Sequence, residues 1–151
     1  MLQKQKEFID ADHPVVDEFY ELLDRDHYLE EVAELIDKDP DFYDTYLYLA
    51  NELREQGDNN EADKLEKDAF LRLEDYVRNQ DGTWPDSLEW GFQENRHILR
   101  TLMRKADVLW QKNNRDEALA LYKKILHGNL NDNLGVRYAI TGLKIGLTYE
   151  E

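Results

Sequence analysis

Alanine recurs along this chain where two helices would have to touch. Ala50 and Ala62 flank one turn, Ala106 and Ala118 flank another, and the two arrangements are related by an offset of 56 residues. The same offset aligns Leu53 with Leu109, Gly57 with Asn113 and Tyr46 with Leu102. A side chain cut down to one methyl group lets helix axes approach closely, while larger neighbours such as Leu109 and Tyr122 fill the space beside them. This layout predicts helical hairpins. Hairpins of this kind stack into arrays whose inner surface serves as a docking site.

The rest of the chain also reads as helix. Its three prolines, Pro14, Pro40 and Pro85, fall where a helix should begin or a connection should lie. After His13-Pro14, the residues Val15, Phe19, Leu22 and Leu23 share one helical face. In the next segment Leu29, Val32, Leu35 and Ile36 do the same, with Asp26 placed to cap it. A third helix from Tyr43 stops at Gly57, and Asp58-Asn59-Asn60 starts a fourth carrying Ala62, Leu65, Ala69, Leu73 and Tyr76. RNQDGTWPDSLEWGF breaks the pattern with turn chemistry at Asp81-Gly82 and Trp84-Pro85. Helices over about 94–112 and 115–127 follow. Gly128 ends the second, and Asn131-Asp132-Asn133 caps a last helix running to about Tyr149.

The expected organisation is one domain over 1–151. A degenerate hairpin (9–42) leads into a clear one (43–76), an irregular aromatic insertion (77–98), a second clear hairpin (99–132) and a terminal helix (133–149). The fold class is all-α, a short right-handed array of antiparallel hairpins.

The chain resembles the tetratricopeptide-repeat (TPR) family. Tyr46, Leu49, Ala50, Leu53, Gly57, Ala62 and Ala69 match one copy of its consensus, and Leu102, Ala106, Leu109, Ala118 and Tyr122 match a second. Glu66 stands where the consensus has an aromatic residue, Asn113 where it has glycine, and Leu130 where it has a closing proline. WGFQENRHILR with NDNLGVRY also resembles a narrower, mostly uncharacterised group carrying one such repeat pair. Some of that group add a cysteine-rich zinc module, which a chain without cysteine lacks.

The family's register implies a partner-binding concave face. It would present Leu47, Asn51 and Arg54 from one copy, Met103, Asp107 and Trp110 from the next, and Arg137 with Thr141 from the last. Asn51 and Arg137 fit the carboxylate clamp of chaperone-tail binders; Leu47, Met103 and Asp107 do not.

Chemistry other than binding finds little support. Without cysteine there is no disulfide, thiolate zinc site or cysteine nucleophile. His13, His27, His97 and His127 lack metal-ligand spacing. A calcium loop built around Gly82 would need carboxylates where Val77 and Leu88 stand. Ser87, the single serine, lies in no nucleophile motif, and no glycine-rich phosphate loop exists. The expectation is therefore no enzyme, no cofactor and no metal.

With 34 acidic against 19 basic residues the net charge is −15. Such a field repels phosphate backbones, so the expected partner is a protein or peptide, basic rather than acidic, and not nucleic acid. Hydrophobic residues at 41% and charged residues at 35% place the chain among globular proteins. The N-terminal segment lacks a signal-peptide core, and no apolar run approaches the ~20 residues of a membrane helix. These features point to the cytoplasm, away from membranes.

The terminal helix offers an alternative function. Leu134, Val136, Ala139, Ile140, Leu143, Ile145 and Leu147 spread over several faces. Gly142 and Gly146 permit close approach, so a structural or regulatory subunit could assemble as a homodimer through 133–149, with no dedicated groove. Trp84, Trp90 and Phe92 read as pins holding the insertion to the core.

Overall fold

The computed structural model describes residues 6–151. Residues 1–5, part of the segment read above for a signal sequence, lie outside the described residues. The described structure is helical throughout: α1 (Val15–Leu23), α2 (Leu29–Lys38), α3 (Asp44–Glu55), α4 (Asn59–Val77), α5 (Arg96–Gln111), α6 (Arg115–Gly128) and α7 (Val136–Lys144). A short 3₁₀ turn at Gln93–Asn95 precedes α5. Extended pairing among the described residues is limited to one isolated bridge between Glu7 and Ser87. Within the units α1 packs on α2, α2 on α3, α5 on α6 and α6 on α7, which establishes the all-α class of packed helical hairpins. Among the described residues no helix is long and apolar enough to cross a membrane.

The chain divides into two compact units. One is Ala11–Tyr76; the other joins Met1–Asp10 to Val77–Glu151. In the first, Val15, Phe19 and Leu22 of α1 bury against Val32 and Leu35 of α2, Phe42 and Leu49, with Leu65 of α4 packed on the same cluster. The helical spacing of these residues follows from 3.6 residues per turn. Phe19 meets Phe42 and Tyr48 edge-on, at ring-centroid distances of 5.5 and 6.0 Å. The tyrosines of this region are packing residues whose hydroxyls bond to protein. Tyr46 donates to the Pro40 carbonyl at 2.9 Å, Tyr43 donates to Asp41 at 3.2 Å, and Tyr48 lies 3.0 Å from His27 Nε2.

The α3–α4 turn closes through Gly57 at φ +86°, the left-handed conformation that costs glycine nothing. The α5–α6 turn places Asn113 at φ +61°, so asparagine takes over the same role there. Asp26 does not cap α2. Tyr28 occupies that position, and Glu31 reaches back to accept its backbone N–H at 2.8 Å.

In the second unit Asn95 is the organising polar residue, fully buried at the start of α5. Its amide donates to the carbonyls of Phe8 and Glu89 at 2.9 and 3.2 Å, and its oxygen accepts the Asp10 N–H at 2.8 Å. One buried side chain thus bonds three backbone groups and ties two irregular segments to the start of α5. His97, one position into the first turn of α5, lies 2.6 Å from the buried Asp10 carboxylate. The aromatic insertion is pinned as expected. Trp90 lies beneath the guanidinium groups of Arg96 and Arg100, Trp84 beneath the ammonium of Lys124. Gly128 ends α6 for a reason that turn chemistry does not reveal: a Cβ there would come within 3.2 Å of the Leu88 backbone nitrogen.

The last helix is shorter than its apolar run suggests. Asp132, itself at φ +52°, caps it by accepting the N–H groups of Val136 and Arg137 at 2.6 and 3.1 Å. The helix stops at Lys144, and Gly146 at φ +86° turns the chain back over α5.

Replacing Asn95 by alanine removes three hydrogen bonds to backbone groups, one of them buried and two part-buried. Loss of ~2–4 kcal/mol of stability is expected, at about 1–3 kcal/mol per exposed deficit with partial relief by water. Urea unfolding of Asn95→Ala checks this, and a midpoint equal to that of the parent refutes the assigned role.

Candidate functional site

Leu47, Asn51 and Arg54 recur at intervals of four and three, so α3 presents them along one face. Asn51 is exposed, whereas Leu47 and Arg54 are half-buried. Arg54 has a clear internal task. Its guanidinium donates to the Glu66 carboxylate and, at 2.9 Å, to Asp63, both on α4. Glu66 is only 3% exposed. A carboxylate that deep stays charged at small cost only when a cation and hydrogen bonds accompany it. Glu66, which takes an aromatic position of the expected consensus, is therefore half of an interhelical ion pair. Leu47 and Asn51 remain as the outward part of this face.

The α5 residues lie in the other unit. Met103 is half-buried. Trp110 is held on several sides. Its ring sits where a Cβ added to Gly142 would come within 3.0 Å, and it meets Tyr122 and Tyr149 edge-on at 6.2 and 5.5 Å. Its indole N–H donates to the Leu147 carbonyl at 3.2 Å. Arg115 donates to the same carbonyl at 2.7 Å and to that of Leu143 at 2.8 Å. Together Trp110 and Arg115 clamp the segment that follows α7. Asp107, one turn before Trp110, accepts the Tyr122 hydroxyl. Burial raises the Asp107 carboxyl above its ordinary value, against the bonds from Tyr122 and Tyr149. Burial also pushes the Tyr122 phenol up, reinforced by its bond to Asp107.

Arg137 and Thr141 stand one turn apart on the exposed side of α7. Arg137 donates to the Leu130 carbonyl at 3.0 Å and approaches Asp132 at 3.5 Å; Thr141 donates to the Arg137 carbonyl at 2.9 Å. Asp107 and Trp110 are thus brought together through Tyr122 and Tyr149, and Arg137 with Thr141 through α7. Glu66, Arg115 and Tyr149 are the structural neighbours of these positions that were not among the residues expected at the site. Only Glu66 carried a signal, a carboxylate at the buried register between Ala62 and Ala69.

Charge is divided very unequally. The Ala11–Tyr76 unit holds 22 acidic and 6 basic residues, a net of −16; the other holds 12 acidic and 13 basic, a net of +1. The strong field inferred from composition therefore belongs to one unit.

Among known proteins, the family model described as "Transcriptional repressor TCF25" matches residues 11–146, nine-tenths of the chain. The chain belongs to that family. No curated protein and no solved structure matches. The tetratricopeptide assignment is corrected by this match. An alanine notch and a left-handed turn residue at fixed spacing are demanded by any tightly packed helical hairpin, so they specify packing without specifying that family. The register that nominated the eight binding positions came with that assignment, and their standing now rests on what each side chain does.

Two outcomes test this geometry. Gly142→Ala forces a Cβ against the Trp110 ring and is expected to cost ~1–3 kcal/mol, read as a lowered Tm; an unchanged Tm refutes the seat. The Tyr43 and Tyr122 phenols are both raised above the ordinary value of 10.0, chiefly by burial. The folded state then holds protons that the unfolded chain gives up, so stability falls as pH climbs beyond about 10. Urea midpoints compared at mildly and strongly alkaline pH should show this loss, and Tyr122→Phe should make it shallower.

Proposed function

We propose that this member of the TCF25 family is a non-catalytic protein-interaction module that contributes to transcriptional repression through protein contacts. What carries the reading is the concentration of net −16 in the Ala11–Tyr76 unit. A field of that sign and density raises the encounter rate with basic peptide or protein surfaces and suppresses contact with phosphate backbones. The family description supports placing this activity where transcription runs rather than in the cytoplasm. On this reading the acidic unit acts through a protein partner, since its own field disfavours phosphate backbones.

The outward face of α3 is the proposed contact, with Leu47 supplying apolar area and Asn51 a hydrogen-bonding amide. Arg54 keeps this face rigid through its pair with Glu66 and Asp63. Interfaces commonly combine such a small apolar centre with a polar rim. The same unit also exposes Tyr20, Tyr28 and Leu71 at 48%, 78% and 57%, which supplies further contact area in an acidic surround.

Fluorescence anisotropy with a labelled Lys/Arg-rich peptide tests the proposal. Binding is expected at low salt and should weaken steeply as ionic strength rises and the Debye length shrinks from ~10 Å at 0.1 M. Asn51→Lys should weaken it about tenfold, the equivalent of ~1.4 kcal/mol. Absence of binding at low salt, or indifference to Asn51→Lys together with Leu47→Ser, overturns the reading.

A further inference from the structure

The second unit carries a surface of opposite character. Of the eight large hydrophobic side chains exposed among the described residues, four lie within residues 130–149: Leu130, Tyr138, Ile145 and Tyr149. Tyr138 is 85% exposed and Ile145 69%. On a helix advancing 100° per residue, Lys144, Arg137, Thr141, Ile145 and Tyr138 fall in that order across one arc of about 120°. All five are exposed, while Val136, Gly142 and Leu143 point inward. The arc has a cationic edge and an apolar edge, with the Thr141 hydroxyl between them. The arc itself holds no carboxylate; Asp132 lies 3.5 Å from the Arg137 guanidinium just before the helix, and Glu150 and Glu151 follow it in sequence.

We infer that this face of α7 docks an acidic peptide segment that also carries aliphatic or aromatic side chains. The charges select the sign of the occupant. Lys144 and Arg137 lie two turns apart on the same edge; Arg137, though held by the Leu130 carbonyl and near Asp132, keeps an exposed guanidinium, and the two would face carboxylates of an extended or helical segment. Tyr138 and Ile145 are spaced identically on the other edge and would cover its apolar residues. The chain's overall negative charge does not forbid this. At physiological ionic strength charges beyond ~8 Å are largely screened, and the unit bearing α7 is itself net +1.

A second copy is a poor occupant. An antiparallel two-fold pairing of α7 would set the Arg137–Lys144 edge against the same edge of the partner, cation against cation, and a parallel pairing would set it against the apolar Tyr138–Ile145 edge. The face is also small. A nine-residue helix is ~14 Å long, and a stable dimer needs about 800 Å² from each partner. Peptide recognition needs far less.

The test uses the full chain and a fluorescein-labelled peptide in which Asp and Glu alternate with Leu and Phe. Two control peptides replace either the acidic residues by Lys or the apolar residues by Ser. Only the first peptide should bind, and its amide-shift footprint on the protein should centre on residues 136–146. Lys144→Glu and Tyr138→Ser, both at exposed positions, should each weaken it at least fivefold, whereas Tyr28→Ser in the acidic unit should leave it unchanged. Equal binding of all three peptides, a footprint elsewhere or insensitivity to both α7 substitutions overturns the proposal. Self-association in sedimentation that Tyr138→Ser abolishes also overturns it, by assigning the face to a second copy. Because the basic peptide is judged on Leu47 and Asn51 and the acidic one on α7, either interaction can fail without the other.

Discussion

Close approach at residues with little or no side chain is the constraint on which both units depend. Ala50, Ala62, Ala69, Ala106 and Ala118 have no exposed surface at all. A larger side chain at any of them would push helices apart and leave voids beside the neighbours. The same logic, in its glycine form, seats Trp110 over Gly142 and Leu88 over Gly128. Once the hairpins are that tight, every other feature has to fit them. Turns need left-handed residues at Gly57 and Asn113, and backbone groups freed in the irregular segments need Asn95.

The parts of this fold that were legible in the sequence are those governed by short-range rules. Small residues at helical intervals gave the hairpins, and Gly57 gave a turn. The tryptophans gave an insertion tied to the core through cations. What was not legible depends on contacts between residues far apart in sequence. Nothing local announces that Trp110 will be capped by a segment 37 residues away, or that Arg115 will hold the carbonyls of Leu143 and Leu147. Two consequences follow. The last apolar run exceeds the helix it builds, because Leu147 belongs to the returning segment. Trp110 and Asp107, which look outward in a generic repeat register, here hold the C-terminal segment against α5.

Family assignment failed for a related reason. Packing rules are shared by every tight helical hairpin, so a pattern that reports packing cannot by itself separate one family from another. The departures from consensus report contacts that the shared packing pattern does not. Glu66 illustrates this: read as an imperfection of a repeat, it is instead a buried carboxylate bound by Arg54, a polar link between helices where the consensus has an aromatic contact. The pair ties α3 to α4 by a directional bond, with Asp63 as a second acceptor for Arg54, where an apolar contact would leave the geometry looser.

The division of charge bears on how such a chain can work. A uniformly acidic protein has one electrostatic preference and selects partners only by shape. Here nearly all of the net charge lies in one unit, while the other ends in a helix whose outward arc holds two cations and no carboxylate. Screening over ~8–10 Å keeps these preferences local. Each surface can therefore attract what the other repels. The electrostatic preference of the chain is thus a property of each unit separately, and the net charge of the whole describes neither.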